Sequence, residues 1–324
     1  MSGAARAIGL LLGAAADVVV GDPRRGHPVA AFGTVASGLE KLLYRDARLP
    51  GVVHVVLLTG GVVLVGVGAR RLGARSPVLE AATTAVATWA VLGGCSLATE
   101  GTLMGRALDA GDLAAARERL PNLCGRDPES LNTMGLARAT VESVAENTSD
   151  AQVAPLFWGA VAGVPGLLFY RAVNTLDAMV GHRSPRYRNF GWAAARLDDV
   201  VNLIPSRLSA VLTALGAPVV GGSAKHAWRT WRLDASAHPS PNAGQVEAAF
   251  AGALEIRLGG RTVYKHGAEE RPVLGDGRNP DAGHVTRAVE LSRVVGVLAA
   301  VVSAAVAVAV GGLRHRRRGG RDGQ

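Results

Sequence analysis

Residues 294–313 contain no Asp, Glu, Lys or Arg, and Arg293 and Arg314 close the run at either end. A hydrocarbon core about 30 Å thick takes about 20 helical residues to cross, so this run reads as a spanning helix. The basic "RHRRRGGR" that follows it is the ordinary stop at a cytoplasmic face. Residues 49–69 and 81–99 are also free of the four charged types, while 7–21 is interrupted by Asp17 and 203–222 by Arg207. The expectation is an all-α, polytopic integral membrane protein with four or five membrane-associated helices, placed in the cell (inner or plasma) membrane. A soluble helical protein rich in Ala, Gly and Val would also reach the mean hydropathy of +0.22. It gives no reason for an uncharged segment set directly against a basic tail.

On this reading one membrane-embedded domain covers 1–324, with a polar helical insertion at 100–150, a polar loop region at 223–293 and a basic tail at 314–324. The N-terminus resembles a signal sequence, with Arg6 ahead of an apolar stretch, but Asp17 and the immediate "GDPRRGHP" argue against cleavage. If the Arg-rich segments 171–196 and 225–293 both face the cytoplasm, 203–222 is re-entrant or interfacial. The net charge of +9 partly reflects the tail. No nucleic-acid motif accompanies it, and at 4% aromatic residues few side chains are available for base stacking, so a nucleic-acid partner is not expected. Cys95 and Cys124 stand without CxxC or His-rich neighbours, which implies neither a zinc site nor a disulfide framework and suits a reducing compartment.

The stretch "ESVAENTSDAQVAPLFWGAVAGVPGLLFY", Glu142 to Tyr170, sets three carboxylates ahead of an apolar run. Glu142, Glu146 and Asp150 are spaced by four, which places them on one helix face, where like charges repel unless something offsets them. The eight Val, Leu and Phe residues between 153 and 170 contribute roughly −0.3 to −0.6 kcal/mol each to insertion, and one central Asp costs about +2.5 to +3.5. The run offsets about one buried carboxylate, not three. The membrane boundary is therefore expected between Asp150 and Val153, with Pro155 in the first turn of the inserted element. The acids then lie at the headgroups or line an enclosed cavity.

Further along, Asn174 and Asp177 share a helix face, as do Asp198 or Asp199 with Asn202, and Arg196 and Arg207 bracket the second group. Hard oxygen ligands beside arginines suit Mg²⁺ with a phosphate, because Mg²⁺ takes one or two carboxylates together with phosphate oxygens and water. Any one of these pairs also reads as helix caps and ion pairs. In "HPSPNAGQVEAAFAGALEIRLGG", Ser240 is placed as N-cap and Pro241 at the first helical position, with the helix running to Gly259 and Gly260. Open N–H groups at such a start can dock a phosphate, or the segment is simply a capped helix. "GDPRRGHP" packs Asp22, Arg24, Arg25 and His27 into a turn in which His27 is either a proton carrier or a cap. The segment "GDLAAARERLPNLCGRDPESL" reads as a short helix, a Pro/Gly break and a new helix start at "DPES". No Walker A sequence, dinucleotide loop, GxSxG or Cys/His nucleophile pairing is present.

Taken together, "GDPRRGHPV", "ESVAENTSDAQVAPLFW", "GVPGLLFYRAVNTLDAMVGHR", "FGWAAARLDDVVNLIPSRL" and "SPNAGQVEAAFAGALEIRLGG" resemble the CobD/CbiB family of cobalamin-biosynthesis proteins over nearly the whole chain, from Gly21 to about Leu291. The resemblance implies adenosylcobinamide-phosphate synthase activity. That activity forms an amide between a propionate of adenosylcobyric acid and (R)-1-amino-2-propanol or its O-phosphate, with Mg²⁺ and ATP activating the carboxylate as an acyl phosphate. It implies catalytic roles for Glu142, Glu146, Asn147, Asp150 and His27. Substrate or phosphate contacts fall to Asp22, Asn174, Arg196, Arg207, Ser240, Asn242 and Gly244. Metal contacts fall to Asp177, Asp198 and Asp199, with Glu146 and Asp150 as further ligands or as groups that orient the amine. The implied partners are the corrinoid, the amine, the lipid membrane, and either a partner protein or a second copy of the chain. A membrane prenyltransferase is the alternative suggested by "ENTSD" and "DDVVN", although a full Asp-rich box is missing. An ion-coupled transporter would need carboxylates inside spans and paired repeats, and no repeat is evident.

Overall fold

The fold, a computed structural model, describes residues 2–23, 26–182, 184–264 and 267–319, with only the backbone described at 261–264, 267–269 and 314–319. Arg24 and Arg25 of the N-terminal turn, and the end of the basic tail, lie outside the described residues. In chain order the first seven helices are α1 (Gly3–Val20), α2 (Pro28–Leu43), α3 (Arg48–Gly73), α4 (Pro77–Val91), α5 (Gly94–Asp109), α6 (Leu113–Arg119) and α7 (Thr133–Thr148). They are followed by α8 (Ala154–Ala162), α9 (Val164–Leu176), α10 (Tyr187–Phe190), α11 (Trp192–Val201), α12 (Leu203–Gly216), α13 (Ala224–Asp234) and α14 (Ala243–Leu254). An antiparallel hairpin, β1 (Leu258–Tyr264) and β2 (Gly267–Leu274), precedes α15 (Ala282–Gly319).

Five stretches among the described residues are long and apolar enough to cross a membrane: Gly3–Val20, Arg48–Gly73, Pro77–Asp109, Leu203–Val220 and Ala282–Leu313. Apart from the one hairpin, the chain is thus the helical, multi-pass membrane protein that its uncharged runs imply. Leu203–Val220 reaches spanning length by extending α12 with the 3-10 turn Ala217–Val220, so its length does not require a re-entrant arrangement.

Residues 153–170, by contrast, do not form one inserted helix. Gly163 adopts φ 71°, in the left-handed region, and ends α8 before Pro165 opens α9. At nine residues α8 is about 14 Å long, too short to cross. Pro155 does occupy its first turn.

The chain divides into two compact units, Met1–Gly93 with Ala154–Asn202 and Ala300–Gln324, and Gly94–Val153 with Leu203–Ala299. In the first unit α1 packs on α4 through small residues. A Cβ at Gly9 would stand 2.5 Å from the Thr84 Cβ, and one at Gly13 would stand 2.4 Å from the Thr88 Cβ. This Gly-x-x-x-Gly spacing lets two apolar helices approach where lipid supplies no hydrophobic drive between them. Asp17, one turn further along α1, is buried in the protein. Arg6 is buried as well, and its Nη1 donates to the Ala160 carbonyl at 3.2 Å, satisfying the last turn of α8. The N-terminal helix is therefore built into this unit. A core of Ala36, Val55, Leu58, Leu176, Val180 and Phe190 joins α2, α3, α9 and α10.

In the second unit the "DPES" sequence forms a 3-10 turn capped by Asp127, and α7 begins only at Thr133, where Asn132 Oδ1 accepts the Gly135 N–H at 2.8 Å. α7 runs on into a π-helical segment, Ser149–Val153. That segment is anchored on α15, where Ser292 Oγ accepts from Thr148 Oγ1 at 2.7 Å and from Gln152 Nε2 at 2.9 Å. α14 packs against α12 and α13, and β1 and β2 extend from its far end.

Candidate active site

The acidic face of α7 lies in the second unit, and its charge is offset from two directions. Glu142 is 1% exposed and forms an ion pair with Arg126, from the loop before α7. Its other oxygen accepts the Gly259 N–H at 2.7 Å. That N–H is available because a register shift between Leu258 and Gly260 bulges β1 and takes it out of the ladder. Gly259, at φ 81°, permits the bulge, and a Cβ there would meet the Pro272 carbonyl at 2.0 Å.

One turn on, Glu146 faces Glu247 of α14, close enough for a hydrogen bond between the two carboxyls. A hydrogen bond between two carboxyls needs a proton on one of them, since two carboxylates offer only acceptors. Glu247 is fully buried, and neither of its oxygens receives a hydrogen bond from an N–H or hydroxyl donor among the described residues. Burial and the charges of Glu146 and Glu142 push its carboxyl well above the usual range, against the opposing pull of Arg271. The neutral form of Glu247 is thereby favoured over its carboxylate. Arg271 Nη1 and His238 Nε2 each stand 3.8 Å from Glu247 Oε1. His238 Nδ1 accepts the Ser240 N–H at 3.0 Å, which leaves the ring proton of the neutral imidazole on Nε2, toward Glu247. Burial, then the Arg271 charge, holds this imidazole below its ordinary value.

Other expected residues take different places in the second unit. Asn147 Nδ2 donates to the Ser143 carbonyl at 2.9 Å, and Asp150 falls in the π-helical segment rather than continuing the α-helical spacing of Glu142 and Glu146. α14 starts at Ala243, later than Pro241, because Ser240 Oγ accepts the N–H groups of Asn242 (3.3 Å) and Ala243 (3.1 Å). The helix ends at Leu254, and Gly259 and Gly260 belong to β1. The Ser240 hydroxyl therefore occupies N–H groups that a docked phosphate would need. Gly244 serves close packing, since a Cβ there would stand 2.4 Å from the His238 Cβ. Asn242 Oδ1 accepts from Ser206 Oγ at 3.1 Å, and Arg207 is exposed and donates to the Leu203 carbonyl at 2.8 Å.

The first unit carries the remaining expected residues. α9 passes into a second π-helical turn, Asp177–Gly181, that begins at the expected metal ligand. Burial, and then the charge of Asp199 on α11, raise the Asp177 carboxyl to about 6. Asp198 takes a different direction, with Oδ2 accepting from Asn202 Nδ2 at 3.0 Å, and Asn202 Oδ1 in turn accepting from the Tyr170 hydroxyl at 2.9 Å. Arg196 is exposed and lies 3.4 Å from Asp199. Asn174 sits on α9, three residues before Asp177. No group of three or more His, Cys, Asp or Glu side chains that could hold a metal occurs among the described residues. The crowding of Asp177 and Asp199 nevertheless suits a cation that also carries phosphate and water, since Mg²⁺ asks for only one or two carboxylates. His27 caps α2, its Nδ1 accepting the Val29 N–H at 3.1 Å, and its Nε2 lies 3.6 Å from Asp22.

Sequence reasoning missed Arg126, His238, Glu247, Gly259 and Arg271. Only Glu247 left a signal, as a lone acid within the apolar "QVEAAFAGAL".

A family model described as CobD/Cbib protein matches residues 10–292. The Cobalamin biosynthesis protein CobD of Mycobacterium tuberculosis (strain ATCC 25618 / H37Rv) is 59% identical over 299 residues, covering 92% of this chain and 95% of that protein. The protein of the same name in Chromobacterium violaceum is 42% identical over 306 residues, with the same two coverages, 92% and 95%. In Geobacter metallireducens it is 43% identical over 270 residues, covering 82% of this chain and 85% of that one. No solved structure matches.

Proposed function

This chain belongs to the CobD/CbiB family of cobalamin-biosynthesis proteins, and on that premise we propose that it is an adenosylcobinamide-phosphate synthase of the cell membrane. It joins a propionate carboxylate of adenosylcobyric acid to the amine of (R)-1-amino-2-propanol or its O-phosphate, at the expense of ATP. The observation that carries this reading is the Glu146–Glu247 pair beside His238 and Arg271.

An amine attacks an activated carboxyl only as the free base, so the site has to take a proton from an ammonium group. The Glu146 carboxylate is partly exposed and is the acceptor; Glu247, whose neutral form burial favours, steadies it. Arg271 balances the negative charge left on the pair. Glu142, spent on Arg126 and Gly259, is a positioning residue that fixes α7 against β1. Asn147 and Asp150, further along the same segment, orient the amine. Ser240, Asn242 and Gly244 shape the start of α14, and Arg207 offers its exposed guanidinium to phosphate.

In the first unit Asp177 and Asp199, with Asp198 alongside, would hold Mg²⁺, and Arg196 and Asn174 would contact phosphate. The metal's contribution is to neutralise phosphate oxygens. Asp22 and His27 form the capped turn before α2, with His27 as a proton carrier.

The test uses membranes containing the protein, adenosylcobyric acid, Mg-ATP and either amine, and follows the corrinoid mass. Wild type gains the mass of the amine less water, and Glu146→Gln does not. No gain by wild type with either amine, even with cell extract added, would overturn the assignment.

A further inference from the structure

Within the second unit a half-open cleft of about 920 Å³ is lined from α13, the end of α14, the segment after β2 and the start of α15. Three guanidinium groups line it, those of Arg229, Arg278 and Arg287. None of them makes an ion pair with a carboxylate among the described residues. Arg287 donates to the carbonyls of Val220 and Gly221 (both 3.1 Å), Arg278 donates to His284 Nε2 (3.1 Å), and Arg229 is exposed with no partner among the described residues.

The lining acids are mostly committed elsewhere. Asp234 accepts the Gly275 N–H at 2.8 Å, and Glu255 pairs with His226 at 3.0 Å. Asp276 alone stands free among the described residues. Glu255 is also the one non-glycine residue at positive φ, 56°, among the described residues. It occupies the position after α14 where glycine is the usual choice. A residue with a Cβ is held there against its backbone preference, and its side chain is thereby placed at the cleft.

We propose that this cleft binds a soluble organic polyphosphate of nucleoside-triphosphate size. Planar guanidinium forks match phosphate oxygens, and three of them with no carboxylate in ion-pair contact among the described residues call for more than one phosphate. The volume lies at the upper end of small-ligand pockets and far exceeds what one inorganic phosphate fills. Leu233 and Val273, both exposed at the cleft, give an organic body an apolar wall, and Asp276 accepts from its hydroxyl or amino groups. This inference does not depend on amide formation at the Glu146–Glu247 site.

The experiment measures equilibrium binding of labelled ATP to the full chain in nanodiscs of zwitterionic lipid. Wild type binds, tripolyphosphate competes, and inorganic phosphate at the same concentration does not. Arg229→Ala and Arg278→Ala each weaken binding about tenfold or more; Arg229 is exposed and has no partner among the described residues, so its variant keeps the wild-type melting temperature. Absence of ATP binding, or an affinity unchanged in both variants, overturns the proposal. A repeat with phosphatidylglycerol in the nanodisc separates the lipid source. Displacement of ATP by that lipid, with the variants losing lipid enrichment, would make the cleft a headgroup site and sink the soluble-ligand assignment.

Discussion

Glu142 accepts the main-chain N–H of Gly259 at 2.7 Å, across 117 positions of sequence. The contact ties the acidic helix α7 to the bulge of β1, and the other oxygen of the same carboxylate holds Arg126. The charge is thus buried, paired and hydrogen-bonded, which is the condition under which burial of an ion is tolerated. The repulsion expected between Glu142 and Glu146 is relieved on the Glu142 side by the Arg126 cation, and on the Glu146 side the facing Glu247 is biased toward its neutral form.

Glu142→Gln keeps an acceptor for Gly259 but removes the negative charge that Arg126 pairs with in the interior. Breaking one side of a buried pair costs about 3–5 kcal/mol. The expected outcome in detergent is a melting temperature well below wild type, with any loss of activity tracking loss of folded protein. A variant as stable as wild type yet inactive would instead make Glu142 a group that acts on substrate.

Glu247→Gln copies the neutral form of the buried acid. Its melting temperature is expected to stay close to wild type and amide formation to fall only modestly, because the acceptor Glu146 is untouched; the fall of about 10²–10⁴ for loss of a positioned proton carrier belongs to Glu146→Gln. Retention of full activity would reduce Glu247 to a packing role. Glu247→Ala is the harsher control, because it also removes side-chain volume from a filled site.

The parts of this arrangement that follow local rules were legible in the sequence. The uncharged runs became spanning-length helices, and the i, i+4 spacing of Glu142 and Glu146 did set them on one face of α7. What depended on distant partners was not legible. Nothing around Arg126 marks it as the counter-ion of Glu142, and Glu247 reaches Glu146 from a helix about a hundred residues later. Both π-helical turns, at Ser149 and Asp177, shift acids that α-helical periodicity would have kept in line. The hairpin fell within a segment read as polar loop, although "RTVY" and "RPVL" carry the β-branched residues of strands.

Gly244 discriminates between a phosphate cradle and a packing contact at the start of α14. Its absent Cβ would stand 2.4 Å from the His238 Cβ and 2.5 Å from the Ala235 carbonyl. Gly244→Ala is therefore expected to cost about 1–3 kcal/mol through overpacking, read as a lower melting temperature. Displacement of His238 would also disturb Glu247. A stable variant in which only the KM for the phosphorylated amine rises would instead favour a phosphate cradle.

Asp177 predicts a pH dependence whose sign follows from its raised carboxyl. The unfolded chain titrates near 3.8 and the folded protein at about 6, so between these values the folded state binds more protons. Stability then falls as pH rises through this window, and the loss is complete above the folded value. The full effect is on the order of 3 kcal/mol. Asp177→Asn removes the titrating group and flattens melting temperature against pH between 4 and 7. Asp199→Asn removes the charge that adds to burial in raising the carboxyl, and is expected to shift the window downward. Mg²⁺ provides the second readout: if Asp177 and Asp199 hold it, adding Mg²⁺ at pH 7 raises the melting temperature of wild type and leaves Asp177→Asn unmoved. An equal rise in both proteins would remove Asp177 from the metal site.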